Sequence, residues 1–313
     1  MAQTTEALNQ QIASQRTLGA AMERTAKPVS GFWTSAWRRF RRDRLAMVAL
    51  GVSIVIVLFA VLAPLVSNLT GFTYQENHLA QKLAPVNTDG YLLGADGNGR
   101  DVLTRLAYGG RISLLFAALG SVSTLFLGSV LGAISGYFGG WVDTLIMRTV
   151  DVILSLPTLV VLILIGSFYD TNVWTLAGFV ALVSWTGVAR LVRGQVLTLR
   201  SRDFVDAARV IGADNRTIIG RHILPNVVPI VVVWLSLSVP GLILLETSLS
   251  YLGVGIEVPT PSWGNMLQEA KNTFRQSWTL VFIPGFIVFL TALCLSLVGN
   301  GVRDAVDPRL TNE

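Results

Sequence analysis

Residues 112–134, ISLLFAALGSVSTLFLGSVLGAI, run for 23 positions without one charged side chain. A helix needs about 20 predominantly apolar residues to cross the hydrocarbon core of a bilayer. Five further stretches meet the same requirement, and the six predicted spans are 45–66, 112–134, 145–168, 173–189, 227–249 and 278–298. The sequence therefore predicts an all-α polytopic membrane protein with six transmembrane helices.

The composition agrees with this fold class and indicates an orientation. The chain has 313 residues, of which 52% are hydrophobic and 14% are charged, whereas soluble domains carry about 25% charged residues. If the six spans alternate across the membrane, 18 of the 24 Lys and Arg residues lie on one side. Basic residues concentrate on the cytoplasmic side of membrane proteins, so we expect both termini in the cytoplasm.

The net charge of +5 arises from these basic flanks. There it orients the protein and meets anionic lipid, so the expected partner is a lipid membrane and not a nucleic acid. The only cysteine, Cys294, and the two histidines, His78 and His222, form no pattern of metal ligands or of a nucleophile with its base. We therefore expect no catalytic residue, no metal site and no cofactor bound by this chain.

The apolar runs also set the expected domain organisation. Residues 1–37 are expected to be a cytoplasmic, disordered tail, followed by a basic flank and the first transmembrane helix at 38–66 and an external loop at 67–111. Residues 112–300 form a five-helix core with a cytoplasmic loop at 201–225 and an external loop at 250–277. Residues 301–313 form a cytoplasmic tail.

The first external loop contains a turn-rich segment that leads into an amphipathic run at 102–108. Its Asp96, Asn98 and Asp101 have some of the spacing of a calcium-binding loop. The bidentate glutamate that completes such a loop is absent from its position. A network of turns is therefore the favoured interpretation.

Prolines within the spans indicate where the helices bend, and an acidic residue within one span is a candidate for the transport pathway. Pro157, Pro240 and Pro284 each remove a backbone donor and tend to kink a helix. The pair Pro240-Gly241 is either a wall of a moving passage or a static kink. Glu246, near the outer end of span five, is either a pathway residue or a group at the membrane interface. Together with Trp185, these residues are the pathway or gate candidates.

Two further patterns concern helix packing. Gly128, Gly132 and Gly136 recur every four residues, which is typical of two closely packed helices but also follows from ordinary glycine enrichment in membrane helices. Arg148 and Asp151 are three residues apart near the inner end of span three. This spacing predicts a mutual ion pair.

The cytoplasmic loop at 201–225, named the docking loop below, is polar and lies between two apolar spans. We expect a short helix capped by Asp203 with Asp206 in the position of a capping box, ended by Gly212. A second short helix is capped by Asp214 or Asn215, and Pro225 closes the unit.

The first of these helices has an apolar face that needs a partner. Phe204, Ala207, Ala208 and Ile211 share one face at helical spacing. A helix of about eight residues is unstable alone in water, so this face is buried either against another protein or against the chain's own spans.

The docking loop resembles the motif of membrane subunits in bacterial ABC importers. The matching residues are Asp206-Ala207-Ala208, Gly212 after three residues, and His222-x-Leu224-Pro225 after nine more. Asp206 stands where the motif has Glu, and His222 stands where it has an apolar residue. The shorter Asp206 side chain leaves open whether it reaches the same partner.

Five longer blocks extend the resemblance to one branch, the C-type permease subunits of dipeptide, oligopeptide and nickel importers. The blocks are LGADGNGRDVLTRLAYGGRISL at 93–114, GYFGGWVDTLIMRTVDVILSLP at 136–157, LVSWTGVARLVRGQVL at 182–197, ETSLSYLGVGIEVPTPSWGNML at 246–267 and GNGVRDAVDPRL at 299–310. In the same order as in that branch, they cover roughly residues 36–310.

The resemblance implies a type I ABC importer permease fold in a bacterial cytoplasmic membrane. It also implies four kinds of partner: a second, homologous permease subunit, two ATP-binding subunits, an external solute-binding protein and the lipid membrane. Coupling to an ATPase would use Asp203, Phe204, Asp206, Ala207, Ala208, Ile211, Gly212, His222, Leu224 and Pro225. The external loop offers Glu257, Trp263 and Glu269 as contacts for the binding protein.

The chain itself has no nucleotide-binding loop. Its three lysines, Lys27, Lys82 and Lys271, do not follow glycine, so the G-x-x-x-x-G-K-S/T pattern is absent. The resemblance therefore assigns ATP and Mg²⁺ to the partner ATPases and makes this chain a non-catalytic subunit.

Two alternatives differ from a peptide importer. The same architecture could import a nickel chelate, glutathione or an oligosaccharide. A self-sufficient channel or secondary transporter would favour inverted repeats and ionisable residues near the midplane, and the sequence shows neither.

Overall fold

The computed structural model describes residues 32–307, and their secondary structure is helical. Within that range the only β-pairing is two isolated bridges in the loop before residue 102. The helices are α1 Phe32–Phe40, α2 Arg44–Val61, α3 Ala63–Thr70, α4 Val102–Phe138, α5 Gly140–Leu154, α6 Thr158–Gly166, α7 Val173–Leu199, α8 Asp203–Val210, α9 Asn215–Thr217, α10 Leu224–Tyr251, α11 Trp263–Ala270 and α12 Thr279–Val306. A 3₁₀ turn spans Leu79–Gln81, and a π-helical turn spans Ile218–Ile223.

Five helical segments of this range are long and apolar enough to cross a membrane, and a sixth is added if α5 and α6 form one broken span. The all-helical, multi-span fold class is thus confirmed. Span three, predicted at 145–168 with a kink at Pro157, is bent there, because α5 and α6 meet at an angle of 82°. Proline at this point has no amide donor to continue the helix.

The other two prolines predicted to bend a span do not break their helices. α10 continues through Pro240, and α12 continues through Pro284. In both helices the neighbouring turns remain helical, so of these three prolines only Pro157 marks a break.

Several boundaries differ from the predicted ones because polar residues continue helices beyond the apolar runs. α4 begins at Val102, where the side chain of Asp101 accepts a hydrogen bond from the Thr104 amide at 2.7 Å. The last ten residues assigned to the first external loop are therefore helical. α12 likewise continues to Val306, inside the expected tail.

The N-terminal end also differs from expectation. Residues 32–37 fall within the tail that the sequence predicts to be disordered, yet they belong to α1, whose Ala36 and Phe40 pack against the last turns of α12. The remainder of that expected tail, at 1–31, lies outside the described residues.

The centre of the fold is the pairing of α4 with α7, which is possible because α4 carries its glycines on the facing side. An added Cβ at Gly132 would lie 2.5 Å from the carbonyl oxygen of Ala189, and one at Gly136 would lie 2.9 Å from the Cβ of Val196. The glycine spacing therefore does reflect close packing of two backbones.

Candidate functional site

The docking loop is built from two helical turns with a glycine between them. α8 begins at Asp203, but its N-cap is Arg202, so the predicted capping role of Asp203 is wrong by one residue. Asp203 and Asp206 both lie in the first turn, where carboxylates interact favourably with the helix dipole. Gly212 adopts a φ of +84°, as expected of a residue that ends a helix.

The second turn is capped by Asp214 and not by Asn215. The Asp214 carboxylate accepts a hydrogen bond from the Thr217 amide at 3.1 Å. Hydrogen bonds from Thr217 lower the pKa of Asp214 below its ordinary value. The π-helical turn then leads into α10, whose first turn contains Leu224 and Pro225, while His222 is half-buried.

One side of the docking loop is bound firmly to the helical bundle. Val205, Ala208 and Ile218 are buried in a cluster with residues at the ends of α4 and α7. The Tyr137 hydroxyl of α4 donates a hydrogen bond to the Asn215 side chain at 2.7 Å. The loop is therefore attached to two long helices.

The opposite side of the loop is an exposed apolar surface. Val210, Ile211 and Phe204 are 87%, 84% and 40% exposed. Ala207 is exposed between them, and Asp206 forms an exposed ion pair with Arg209 at 2.9 Å. The expected single face is thus divided, because Ala208 is buried in the bundle while the other three predicted residues are exposed.

The pathway candidates lie in separate parts of the bundle. Trp185 is buried on α7 in a cluster with Val150 and Ala189. Pro240 is buried on α10, and the adjacent Gly241 is exposed. The structure does not bring these residues together with Glu246.

Glu246 is fully buried and connects three helices. Its carboxylate accepts hydrogen bonds from the hydroxyl groups of Ser113 on α4 at 2.9 Å and Ser250 on α10 at 2.7 Å. The Ser113 oxygen in turn accepts the Trp263 amide at 3.2 Å. A buried carboxylate requires such partners, and the serine that Glu246 holds on α4 also binds the first residue of α11.

The three predicted contacts for a binding protein differ in accessibility. Trp263 is fully buried, and its indole nitrogen donates to the carbonyl oxygen of Leu106 at 3.0 Å. Its prediction as a surface contact is therefore wrong. Glu257 is exposed and accepts the Thr171 amide at 3.3 Å, whereas Glu269 is only partly exposed.

Glu269 belongs to a buried cluster of four charges that sequence reasoning missed. It accepts hydrogen bonds from Arg100 at 2.6 Å and from Arg105 at 2.5 Å, and both arginines also bind Asp96. Burial by itself lowers the pKa of Arg100, but the carboxylates of Asp96 and Glu269 outweigh it and raise that pKa. The cluster joins the loop before α4 to α11.

The turn network expected at Asp96 is also present. One oxygen of Asp96 accepts the amides of Asn98 at 2.8 Å and Arg100 at 3.0 Å. The carboxylate is thereby committed to backbone donors and arginines. The Asp101 side chain caps α4, so it does not join Asp96 in a common site.

The ion pair predicted between Arg148 and Asp151 is wrong. Asp151 pairs with Arg190 of α7 at 2.8 Å. One turn further along, Arg193 of α7 holds Asp143 of α5 with a bond of 2.6 Å. These two pairs attach α5 to α7, and of their four residues only Asp151 lies inside a predicted span.

Comparisons with known proteins agree with one another. The family profile described as the binding-protein-dependent transport system inner membrane component matches residues 128–312. A second profile, the N-terminal TM domain of oligopeptide transport permease C, matches residues 31–85.

Similar proteins cover almost the whole chain. The oligopeptide transport system permease protein OppC of Haemophilus influenzae is 40% identical over 88% of each chain. OppC of Escherichia coli K12 is 39% identical over 88% of this chain and 91% of its own. The dipeptide transport system permease protein DppC of Bacillus subtilis is 34% identical over 91% of this chain and 88% of its own.

Proposed function

Because the chain belongs to the family of inner-membrane components of binding-protein-dependent transport systems, in the branch of oligopeptide and dipeptide permease C subunits, we propose that it is the membrane subunit of an ATP-driven peptide importer. Its role is to form half of the pathway for di- and oligopeptides. It does so without hydrolysing ATP, which with Mg²⁺ binds to separate ATPase subunits.

The observation that carries the coupling role is the two-sided docking loop. Its inner side is bound to α4 and α7, while its outer side presents Phe204, Val210 and Ile211 to a partner. An apolar helix face of this kind fits a groove on another protein. Closure of the ATPase would move the loop as a rigid body and the long helices with it.

The proposed assembly has this chain, a second homologous permease, two ATPases and an external solute-binding protein. The bent pair of α5 and α6 counts as one span in a six-span, type I arrangement in a bacterial cytoplasmic membrane. Both termini and the docking loop then lie in the cytoplasm, as the distribution of basic residues favours.

On the external side, the accessible candidate for the binding protein is Glu257. Glu269 contributes through the charge cluster that holds α11, because its carboxylate is committed to Arg100 and Arg105. The buried side chain of Trp263, the first residue of α11, holds this helix against α4 through its bond to the Leu106 carbonyl oxygen. Contact by the binding protein would thus reach the Glu246 network through one helix.

The test is uptake of labelled peptides by cells that lack this chain. The cells are complemented with wild type, with Asp206→Lys, or with Lys82→Gln as a control that changes a charge far along the sequence from the docking loop. Di-, tri- and pentapeptides are the main arms, and a nickel chelate, glutathione and an oligosaccharide are tested in parallel.

We expect wild type and Lys82→Gln to restore peptide uptake and Asp206→Lys to reach the membrane without restoring it. Uptake of only the nickel chelate or the oligosaccharide would contradict the peptide assignment but leave the architecture intact. Normal uptake by Asp206→Lys would contradict the coupling role of the loop.

A further inference from the structure

The short helix α1 carries aromatic and basic residues that the transport function does not use. One face of α1, with Ala36 and Phe40, is buried against α2 and α12. The guanidinium of Arg39 donates to the carbonyl oxygen of Asp307 at 3.2 Å. α1 is therefore held in a fixed orientation, and its remaining face points away from the bundle.

That remaining face combines two exposed tryptophans with three arginines. Trp33 and Trp37 are 52% and 54% exposed and lie one turn apart. Arg41 continues their row, since its amide donates to the Trp37 carbonyl at 3.0 Å. Arg38 and Arg42 form the adjacent row, so that all five side chains line one concave surface.

The charge of this surface is not neutralised within the described chain. None of Arg38, Arg41 and Arg42 forms an ion pair with a carboxylate among residues 32–307. The nearest acidic residue in sequence, Asp43, uses its side chain to cap α2 at the Ala46 amide, 3.0 Å away. Three guanidinium groups with five donors each are therefore available to an anion.

The position of α1 determines which anion it meets. Only three residues separate the end of α1 from Arg44, where α2 begins, and α2 is a membrane span. The concave surface consequently lies at the boundary between lipid and water. Tryptophan is enriched at this boundary, and arginine binds phosphate oxygens in a bidentate manner.

We propose that α1 lies in the membrane interface and that Arg38, Arg41 and Arg42 bind the phosphodiester headgroup of an anionic phospholipid, with Trp33 and Trp37 inserted among the acyl chains. The site would anchor α12 and α2 to the bilayer at their shared end. It does not depend on the identity of the transported solute.

The test measures lipid binding to the full-length chain, with its co-purifying subunits, by native mass spectrometry. Phosphatidylglycerol and phosphatidylcholine with the same acyl chains are titrated separately. Wild type is compared with the triple variant Arg38→Gln, Arg41→Gln, Arg42→Gln. The matched control removes three exposed charges elsewhere, as Lys82→Gln, Arg148→Gln, Arg275→Gln.

A basic residue near an anionic membrane surface contributes about fivefold in binding. We therefore expect the triple variant to lose about a hundredfold in phosphatidylglycerol affinity, with phosphatidylcholine binding unchanged. The control should stay close to wild type. Equal losses in the triple variant and the control, or equal affinity of wild type for the two lipids, would overturn the proposal.

Three further arms distinguish a bound lipid from a misfolded variant and from a free-anion site. The variant Arg38→Lys, Arg41→Lys, Arg42→Lys keeps the charge, so it should retain most of the phosphatidylglycerol binding. Unchanged phosphatidylcholine binding by the glutamine variant shows that its loss is not misfolding. Displacement of the lipid by millimolar inorganic phosphate would identify a free-anion site and contradict the lipid assignment. Brominated lipid should quench the tryptophan fluorescence of wild type more than that of the double variant Trp33→Phe, Trp37→Phe. Equal quenching would also contradict the lipid assignment.

Discussion

The close packing of α4 against α7 predicts different results for two glycine-to-alanine substitutions. A Cβ at Gly132 would lie 2.5 Å from the carbonyl oxygen of Ala189 and 3.0 Å from the Cα atom of the same residue, whereas ordinary van der Waals contact begins at 3.4 Å. Both atoms belong to the backbone, so no side-chain rotation relieves the overlap. Gly132→Ala must therefore push the two helices apart by almost 1 Å.

The size of the effect follows from two opposing terms. Overpacking costs about 1–3 kcal/mol, while replacing glycine by alanine in a helix gains about 1 kcal/mol. Gly187 on α7 has nothing within 4 Å of an added Cβ, so Gly187→Ala should show only the gain. We expect the free energies of unfolding of the two variants to differ by about 1–3 kcal/mol, with Gly187→Ala the more stable.

Equilibrium unfolding in mixed lipid and detergent micelles, with increasing denaturing detergent, measures this difference directly. Both variants are compared with wild type at the same micelle composition. If Gly132→Ala proves as stable as Gly187→Ala, then α4 and α7 are not in backbone contact and the described packing is wrong.

Three further predictions concern the other named contacts. Glu246→Gln keeps one acceptor oxygen and presents an amide donor to the second serine oxygen, so it should lower the free energy of unfolding by about 1 kcal/mol. Glu246→Leu leaves both serine hydroxyls without a partner and should cost about 2–4 kcal/mol in the same titration; equal losses would refute the network. Arg105→Met breaks a buried charge cluster and should lower the free energy of unfolding by about 3–5 kcal/mol. The double variant with Glu269→Gln should lose less than the sum of the two single losses. Additive losses would contradict the pairing. Gly212→Val places a branched residue at a φ of +84° and should speed hydrogen exchange across residues 203–225. Gly212→Asn should speed this exchange much less, because asparagine tolerates a positive φ. Identical exchange rates in the two variants would refute the turn.

The apolar runs were sufficient to predict the helical fold class, because long uncharged segments have few alternatives in a membrane protein. They were not sufficient for helix boundaries. The polar first turns of α4 become helical only because Asp101 caps them and the neighbouring charge cluster holds them in place. At Pro157 the sequence predicted a bend, but its size depends on how α5 is attached to α7.

The contacts between distant segments were the least predictable part. Arg148 lies at an ideal local spacing from Asp151, yet Asp151 pairs with Arg190, which is 39 residues away. In the sequence Trp263 follows two prolines and lies between acidic residues, a pattern typical of a surface, but in the structure it begins α11 and its buried indole binds the Leu106 carbonyl oxygen of α4. In both cases the deciding partner comes from another helix.

In the docking loop, helical spacing identified the segment but not which side faces the bundle. Val205 and Ala208 are buried because they meet the ends of α4 and α7, and Phe204 and Ile211 are exposed for the same reason. A single eight-residue helix offers two apolar rows that periodicity alone does not distinguish.

The most direct test of the central claim is photo-crosslinking from the docking loop. Ile211→Cys places a thiol on its most accessible apolar side, and the single native cysteine, Cys294, is buried. After labelling with a benzophenone maleimide, irradiation of the assembled complex should join this chain to an ATP-hydrolysing subunit. The same label at Leu79→Cys, in the loop that we propose to be external, should not produce this adduct. An Ile211→Cys label that forms no adduct with the ATPase, or that reacts with a membrane-impermeant maleimide added from outside the cell, would contradict the account.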